Sequence, residues 1–239
     1  LATNGGATAA LSWSTIGTTV LAQIDASTLH SAGDLRISAG SKPAIESLAV
    51  GVAFSGNTAL AGSVSFNQIG GSTQALAKGN SKLSAAGTVT VEADETATTN
   101  ANAGGAAASG QVAAGAAVGI SEFKGLVLAG VDGSEITQAR AVTVDAKFSG
   151  ILLGNAVGAA GAGAVAVAGS AVVGNFLTTT AADVVGSTVT TSGGLTVQAQ
   201  DTSTLDMHAG SLAGSGGVVG IGGAVAVADV GNSTIARLQ

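Results

Sequence analysis

Side chains able to do chemistry are few and scattered in this chain of 239 residues. His30 and His208 are its only histidines, the groups that would titrate near neutrality or offer an imidazole to a metal. Neither lies in an HExxH or similar ligand spacing, so a surface or edge position is expected for each. The 14 carboxylates are spread thinly. Asp201 and Asp206 flank one strand-like segment, and Glu92, Asp94 and Glu95 form a short acidic run that reads as a solvated strand face. Cleavage of a polysaccharide would call for clustered acids in a groove lined by aromatic rings, whereas the chain has five Phe, one Trp and no Tyr.

Other site signatures fail in the same way. Calcium-binding solenoid turns repeat GGxGxD, and here Asp132-Gly133 and Gly33-Asp34 read as ordinary turns. The glycine runs at 158–163 and 214–217 lack the Lys-Ser/Thr of a phosphate loop, and no GxSxG element is present. Threonine is common at 96–99, 178–180 and 188–191. An ice-binding row would repeat it at one outward phase, but Arg36 stands where Thr90, Thr143 and Thr196 recur. Catalytic, cofactor-binding and metal residues are therefore assigned to none, and the chain reads as no enzyme.

Composition sets the frame for the elements. The chain is 46% hydrophobic but only 3% aromatic, with 38 Gly and a single proline, Pro43. Such small apolar side chains suit thin, closely stacked layers. Charged residues make up 9%, against about 25% in ordinary domains, which also argues against disorder. Net charge is −6 with eight Lys plus Arg and no basic patch, so nucleic acid is not an expected partner. Cysteine is absent, which leaves no disulfide framework. The start at Leu1 and the end at Gln239, where a fifth block would begin, suggest an excerpt or a mature product.

The dominant signal is a repeat. ASTLHSAGDLRISA from Ala26, NSKLSAAGTVTVEA from Asn80, GSEITQARAVTVDA from Gly133 and GSTVTTSGGLTVQA from Gly186 are one block, spaced 54, 53 and 53 residues apart, with a partial repeat over 1–25. Stacked copies of such a unit bury a core that one copy cannot bury alone. Within the block, Leu35 and Ile37, Val89 and Val91, Val142 and Val144, and Leu195 and Val197 alternate with polar residues, the pattern of a strand with one buried face. A serine precedes it in every copy, at Ser27, Ser81, Ser134 and Ser187, and reads as a structural ladder whose hydroxyls bond backbone at a corner. Ala32-Gly33, Ala86-Gly87, Ala139-Arg140 and Gly193-Gly194 are expected to make a tight corner in which Gly supplies positive φ, although Arg140 breaks the pattern.

Uncharged windows at 47–77, 96–121, 148–182 and 207–228 separate the blocks. The third is long enough to suggest a membrane helix. Its interruption by Gly and polar residues, and the Ala-Val-Ala-Val alternation at 164–167 and 224–227, favour close-packed strands without membrane insertion. An offset of 30 residues loosely superposes Leu195, Val197, Thr204 and Leu205 on Val225, Val227, Thr234 and Ile235. Two coils per repeat are thus suggested, with one large flattened coil left open. The fold expected is all-β, a β-solenoid (parallel β-helix) forming a single array over 1–239; an antiparallel stack of long hairpins fits the same periodicity.

The motif S-T-V-x-x-x-G-x-L-T-V-x-A, clearest from Ser187 to Ala199, and the Ala/Gly-rich stretch ending in AVAVA at 224–228 carry a resemblance. The chain resembles the tandem repeats of very large bacterial filamentous adhesins, of the filamentous-haemagglutinin-like and leukotoxin types. The resemblance covers essentially the whole chain. It implies an extracellular or cell-surface β shaft, with neighbouring repeats or copies of itself as partners and a host-surface or matrix ligand unspecified. Alternatives are a filament subunit stacking end to end through its terminal coils, and a flat-face binding module for glycan, mineral or ice.

Overall fold

The computed structural model describes residues 4–239, so the first three residues of the partial repeat 1–25 lie outside the described residues. Among the described residues the chain is strand and turn with no helix. The first circuit runs through β1 (Gly5–Asp25), β2 (Thr28–Ser31), β3 (Leu35–Ser41) and β4 (Ala44–Ser55). The second is β5 (Thr58–Lys78), β6 (Lys82–Ala85) and β7 (Thr88–Ser109), and the third β8 (Val112–Asp132), β9 (Glu135–Ala139) and β10 (Ala141–Ala162). The fourth is β11 (Val165–Val185), β12 (Thr188–Thr191) and β13 (Leu195–Ser215). β14 (Val219–Val230) and β15 (Ser233–Leu238) begin a fifth.

The second, third and fourth circuits are each long strand, short strand, long strand, the first has its last long strand split into β3 and β4, and all pairings between circuits are parallel. The antiparallel hairpin alternative therefore falls. A back sheet has the order β1-β5-β8-β11-β14 with β15 also on β11; a front sheet has β13-β10-β7-β3 with β4 also on β7; a short edge sheet has β12-β9-β6-β2. Gly5 pairs with Thr58, Thr58 with Val112, Val112 with Val165 and Val165 with Val219, so one repeat is one coil. The offset of 30 residues is not a stacking register: β13 and β14 belong to different sheets. A strand of 21 residues, at about 3.3 Å per residue, is about 70 Å long, while each coil advances only about 4.8 Å. The segment is a slab, much wider than its stack is high.

Pro43 shows why one front strand is split. It has no N–H to donate, so β3 and β4 flank it on the first coil, while its carbonyl still accepts the Thr98 N–H at 3.0 Å.

In cross-section the slab is a wedge. Near the edge sheet the interior holds Leu83, Ile136, Val89, Val142 and Leu152, closed by the rings of Phe123 and Phe176 stacked at 4.8 Å with Phe148 set edge-on. Towards the opposite end, where the chain turns at 56–57, 110–111, 163–164 and 216–218, the buried cluster is alanine alone. There the two long sheets nearly touch. A Cβ at Gly105 of the front sheet would lie 2.0 Å from the Ala116 carbonyl oxygen of the back sheet, and one at Gly158 would lie 2.1 Å from that of Gly169. Sheets ordinarily pack about 10 Å apart, and only residues without a Cβ, or with little more, allow this approach. Between the two regions lies a polar seam. Ser47 and Ser65 hydroxyls pair at 2.5 Å, Thr99 and Ser121 at 3.3 Å, and Asn67 Nδ2 donates to the Asn100 carbonyl at 2.9 Å.

This narrowing reverses the meaning of the Ala-Val alternation. In the repeated block the larger residue faces in, as Val142 and Val144 do. In the thin half Ala166 and Ala168 face in while Val165 and Val167 face out. The strands are close-packed as expected, but their larger apolar side chains sit on the outside.

Candidate functional site

The serine ladder lies at the corner between the back sheet and the edge sheet. The residue before each serine takes the left-handed conformation: Ala26 (φ 46°), Asn80 (φ 60°), Gly133 (φ 55°) and Gly186 (φ 57°). The sharp reversal brings each hydroxyl back onto its own strand end. Ser27 Oγ donates to Asp25 O at 2.7 Å, Ser81 Oγ to Lys78 O at 2.6 Å and Ser134 Oγ to Asp132 O at 3.0 Å; Ser187 Oγ lies 2.9 Å from Val185 O. The ladder also joins coils, since Ser81 Oγ accepts the Ser27 N–H at 3.2 Å and Ser187 Oγ accepts the Ser134 N–H at 3.1 Å. Replacing the fully buried Ser81 with alanine removes both bonds and should cost about 1–3 kcal/mol, read as a shift in the urea midpoint. An unchanged midpoint would make the ladder incidental.

The second corner differs from expectation. Gly33, Gly87, Gly193 and Gly194 do not have positive φ; the left-handed residue near that corner is Gln138, in the one coil where Arg140 replaces glycine. Glycine is there for close approach: a Cβ at Gly193 would lie 2.4 Å from the Arg140 carbonyl oxygen.

The core-strand residues Leu35, Ile37, Val89, Val91, Val142 and Val144 are buried, and Leu195 and Val197 on the fourth coil pack half-buried against the same cluster. Their outward neighbours form the charged half of the slab. Ion pairs there link adjacent coils: Arg36–Glu92, Lys78–Asp25 at 3.7 Å, Lys82–Glu135 at 3.6 Å and Arg237–Asp183 at 2.8 Å. Each contributes about 0–1 kcal/mol at an exposed site, so their weight is in register and solubility. Asp145 beside Lys147 holds the ammonium above its ordinary value.

The acidic run splits by the strand period. Glu92 and Asp94 face out, but Glu95 turns inward and is buried, which corrects its reading as solvated. Burial raises its pKa, against the bond that Thr73 Oγ1 donates to Glu95 Oε2 at 2.7 Å. A folded pKa above the unfolded one means stability is greatest below about pH 4.5 and falls as pH rises through the folded value. Thermal unfolding from pH 4 to 8 should show this decline in the wild type and a flatter profile in Glu95→Gln. Equal profiles would contradict it.

Asp201 occupies the equivalent inward position on the fourth coil. It accepts from Thr178 Oγ1 at 3.0 Å, Ser203 Oγ at 2.8 Å and Asn232 Nδ2 at 3.1 Å, a set of neutral donors that fixes β13 against the start of the fifth circuit. Asp206 faces out beside His208, at 2.9 Å. His30 is exposed on the edge sheet, so the structure does not bring the two histidines together. No group of three His, Cys, Asp or Glu able to hold a metal occurs among the described residues.

The feature that sequence reasoning missed is the outside of the thin half. All charged residues lie outside the windows 47–77, 96–121, 148–182 and 207–228, and each window is centred on a turn at the thin end, so the strand halves next to those turns carry no charge. On the back sheet the outward residues align into columns across five coils. One column is Leu11, Val64, Val118, Ala171 and Val225; the next towards the charged half is Trp13, Phe66, Ile120, Val173 and Val227. Trp13 and Phe66 stack with ring centres 4.2 Å apart. On the tip side, Ala9, Gly62, Ala116 and Gly169 line a shallow groove, and Gly223 continues their column on the fifth coil. The signal available in the sequence was the inverted alternation, valine outward and alanine inward.

No protein-family model, no curated protein and no solved structure matches the chain.

Proposed function

We propose that this chain is a non-enzymatic structural segment of an extracellular bacterial adhesin or surface fibre, acting as a stacked β shaft. The observation that carries the reading is the continuous parallel ladder. Three parallel sheets run through the first four coils, the two long ones in unbroken register, so each coil is held by its neighbours and adds the same advance. Backbone hydrogen bonds then run along the stack, the direction in which a shaft bears load. The chemistry-bearing side chains stand apart: the histidines lie on different sheets, and the inward acids Glu95 and Asp201 are engaged by hydroxyl and amide donors. The repeat motif and its resemblance to filamentous adhesin arrays support the same reading.

A second reading follows from the sheet edges. Among the described residues β1 pairs only with β5, and β14 only with β11, so each presents a free row of backbone groups. Such an edge accepts a further coil from its own chain or from another copy stacking end to end. Electron microscopy of the purified chain in buffer without chaotrope separates the two. Separate slabs are expected for a shaft segment, and long filaments with a constant advance per molecule for a stacking subunit. Compact particles with no elongated cross-section would defeat both.

A further inference from the structure

The thin half of the back sheet presents an apolar face on its inner coils as well as at its ends: Leu60 is 48%, Val64 36% and Val167 41% exposed. We propose that this half-face docks a second copy of the chain, packed face to face about a twofold axis parallel to the solenoid axis.

Size is the first argument. From the tip to the last apolar column is about 30 Å and five coils rise about 24 Å, a footprint on the order of 700 Å². That is close to the roughly 800 Å² per partner of a standard interface, and above the 300–600 Å² of the largest patch on a typical monomer. Shape is the second. The Gly62–Ala116–Gly169 groove lies directly beside the Val64–Val118–Ala171 ridge. An axis running between them places each copy's ridge in the other's groove, the self-complementarity that an isologous contact requires. The same operation keeps every coil level with a coil of its partner, so the contact grows with each repeat added. Charge is the third. Glu122 and Asp229 bound the face on one side, in the column next to the aromatic pair, and nothing charged lies inside it.

A lipid surface is the competing occupant, and the geometry disfavours it. The tip that would enter a bilayer first carries Ser55, Asn57, Ser109 and Gln111, whereas the apolar surface is a flat flank.

Sedimentation velocity of the intact chain tests the proposal, together with flotation on phosphatidylcholine vesicles. The wild type should dimerise and stay off the vesicles. The double variant Val64→Lys/Val118→Lys, changed only at outward positions, should raise the dissociation constant at least about 100-fold, because it buries unpaired charge. Should the lysines disturb folding, cysteine placement decides, since the chain has no native thiol. A short bismaleimide should link Ala116→Cys copies and leave Thr143→Cys copies, on the polar front face, unlinked. A wild type that is monomeric at about 100 μM, above the weakest affinities usual for interfaces of this size, would overturn the proposal. So would its recovery on vesicles as a monomer, lysine variants that dimerise as before, or equal linking of the two cysteine variants.

Discussion

Gly105→Val is expected to destabilise the whole stack by about 3 kcal/mol or more, at or beyond the upper end of ordinary overpacking. The new Cβ would meet the Ala116 carbonyl oxygen at 2.0 Å, its carbon at 2.7 Å and its nitrogen at 2.9 Å. All three are backbone atoms inside a long paired strand, so no rotamer change relieves the contact. The sheets must part, and parting them opens the alanine-lined interior on both neighbouring coils. Gly161→Val is the control: nothing lies within 4 Å of a Cβ there, and its backbone is not left-handed. Valine at that outward strand position should be neutral or stabilise by about 0.5–1 kcal/mol. Urea unfolding followed by far-ultraviolet circular dichroism reads both. Equal effects at the two glycines would mean that the sheets are not in close approach in the thin half.

Phe176→Ala is the second large effect, with an expected loss of about 3–5 kcal/mol. Phe176 is fully buried, stacks on Phe123 of the coil before it and meets Phe148 edge-on at 6.3 Å between ring centres. These three rings fill the thick end of a core otherwise built from Val, Leu, Ile and Ala. Truncating one leaves a cavity against two coils at once, and the flat sheets around it cannot collapse locally without breaking register. Circular dichroism should again be the probe. Trp13 sits on the outer flank against Phe66, so its fluorescence follows the flank and not the core. A loss below about 1 kcal/mol would show that the rings are not packed as a cluster.

The sequence disclosed those parts of the fold that depend on local period. Leu35, Val89, Val142 and their partners lie inward because a strand alternates sides, and the repeat spacing implied stacked copies while leaving parallel coils and antiparallel hairpins both open. The number of coils per repeat is a tertiary quantity. It depends on whether a strand can run 21 residues unbroken, and the Ala/Gly-rich half contains nothing that marks it as continuous. The thin half was misread for a related reason. Period two says that valine and alanine face opposite ways, but not which way is in. That choice is made by the distance to the opposing sheet, which Gly51, Gly105 and Gly158 set by close approach. At the corners, glycine content pointed to the wrong junction. The left-handed residue is Ala26 or Asn80 in two copies, where the serine bonds and the coil stack hold a conformation that the residue type alone does not favour.

One coil per 53-residue repeat is the premise on which the slab, its thin half and its apolar flank all stand. Spin labels at Ser38→Cys and Gln198→Cys test it directly, in chain diluted with unlabelled protein. Both residues are exposed, and they stand three coils apart in one column of the front sheet, linked through Glu92 and Asp145. Dipolar electron paramagnetic resonance should give a separation of about 14 Å, three coil spacings, broadened by the label arms. A separation near 29 Å would mean two coils in every repeat and would contradict the account.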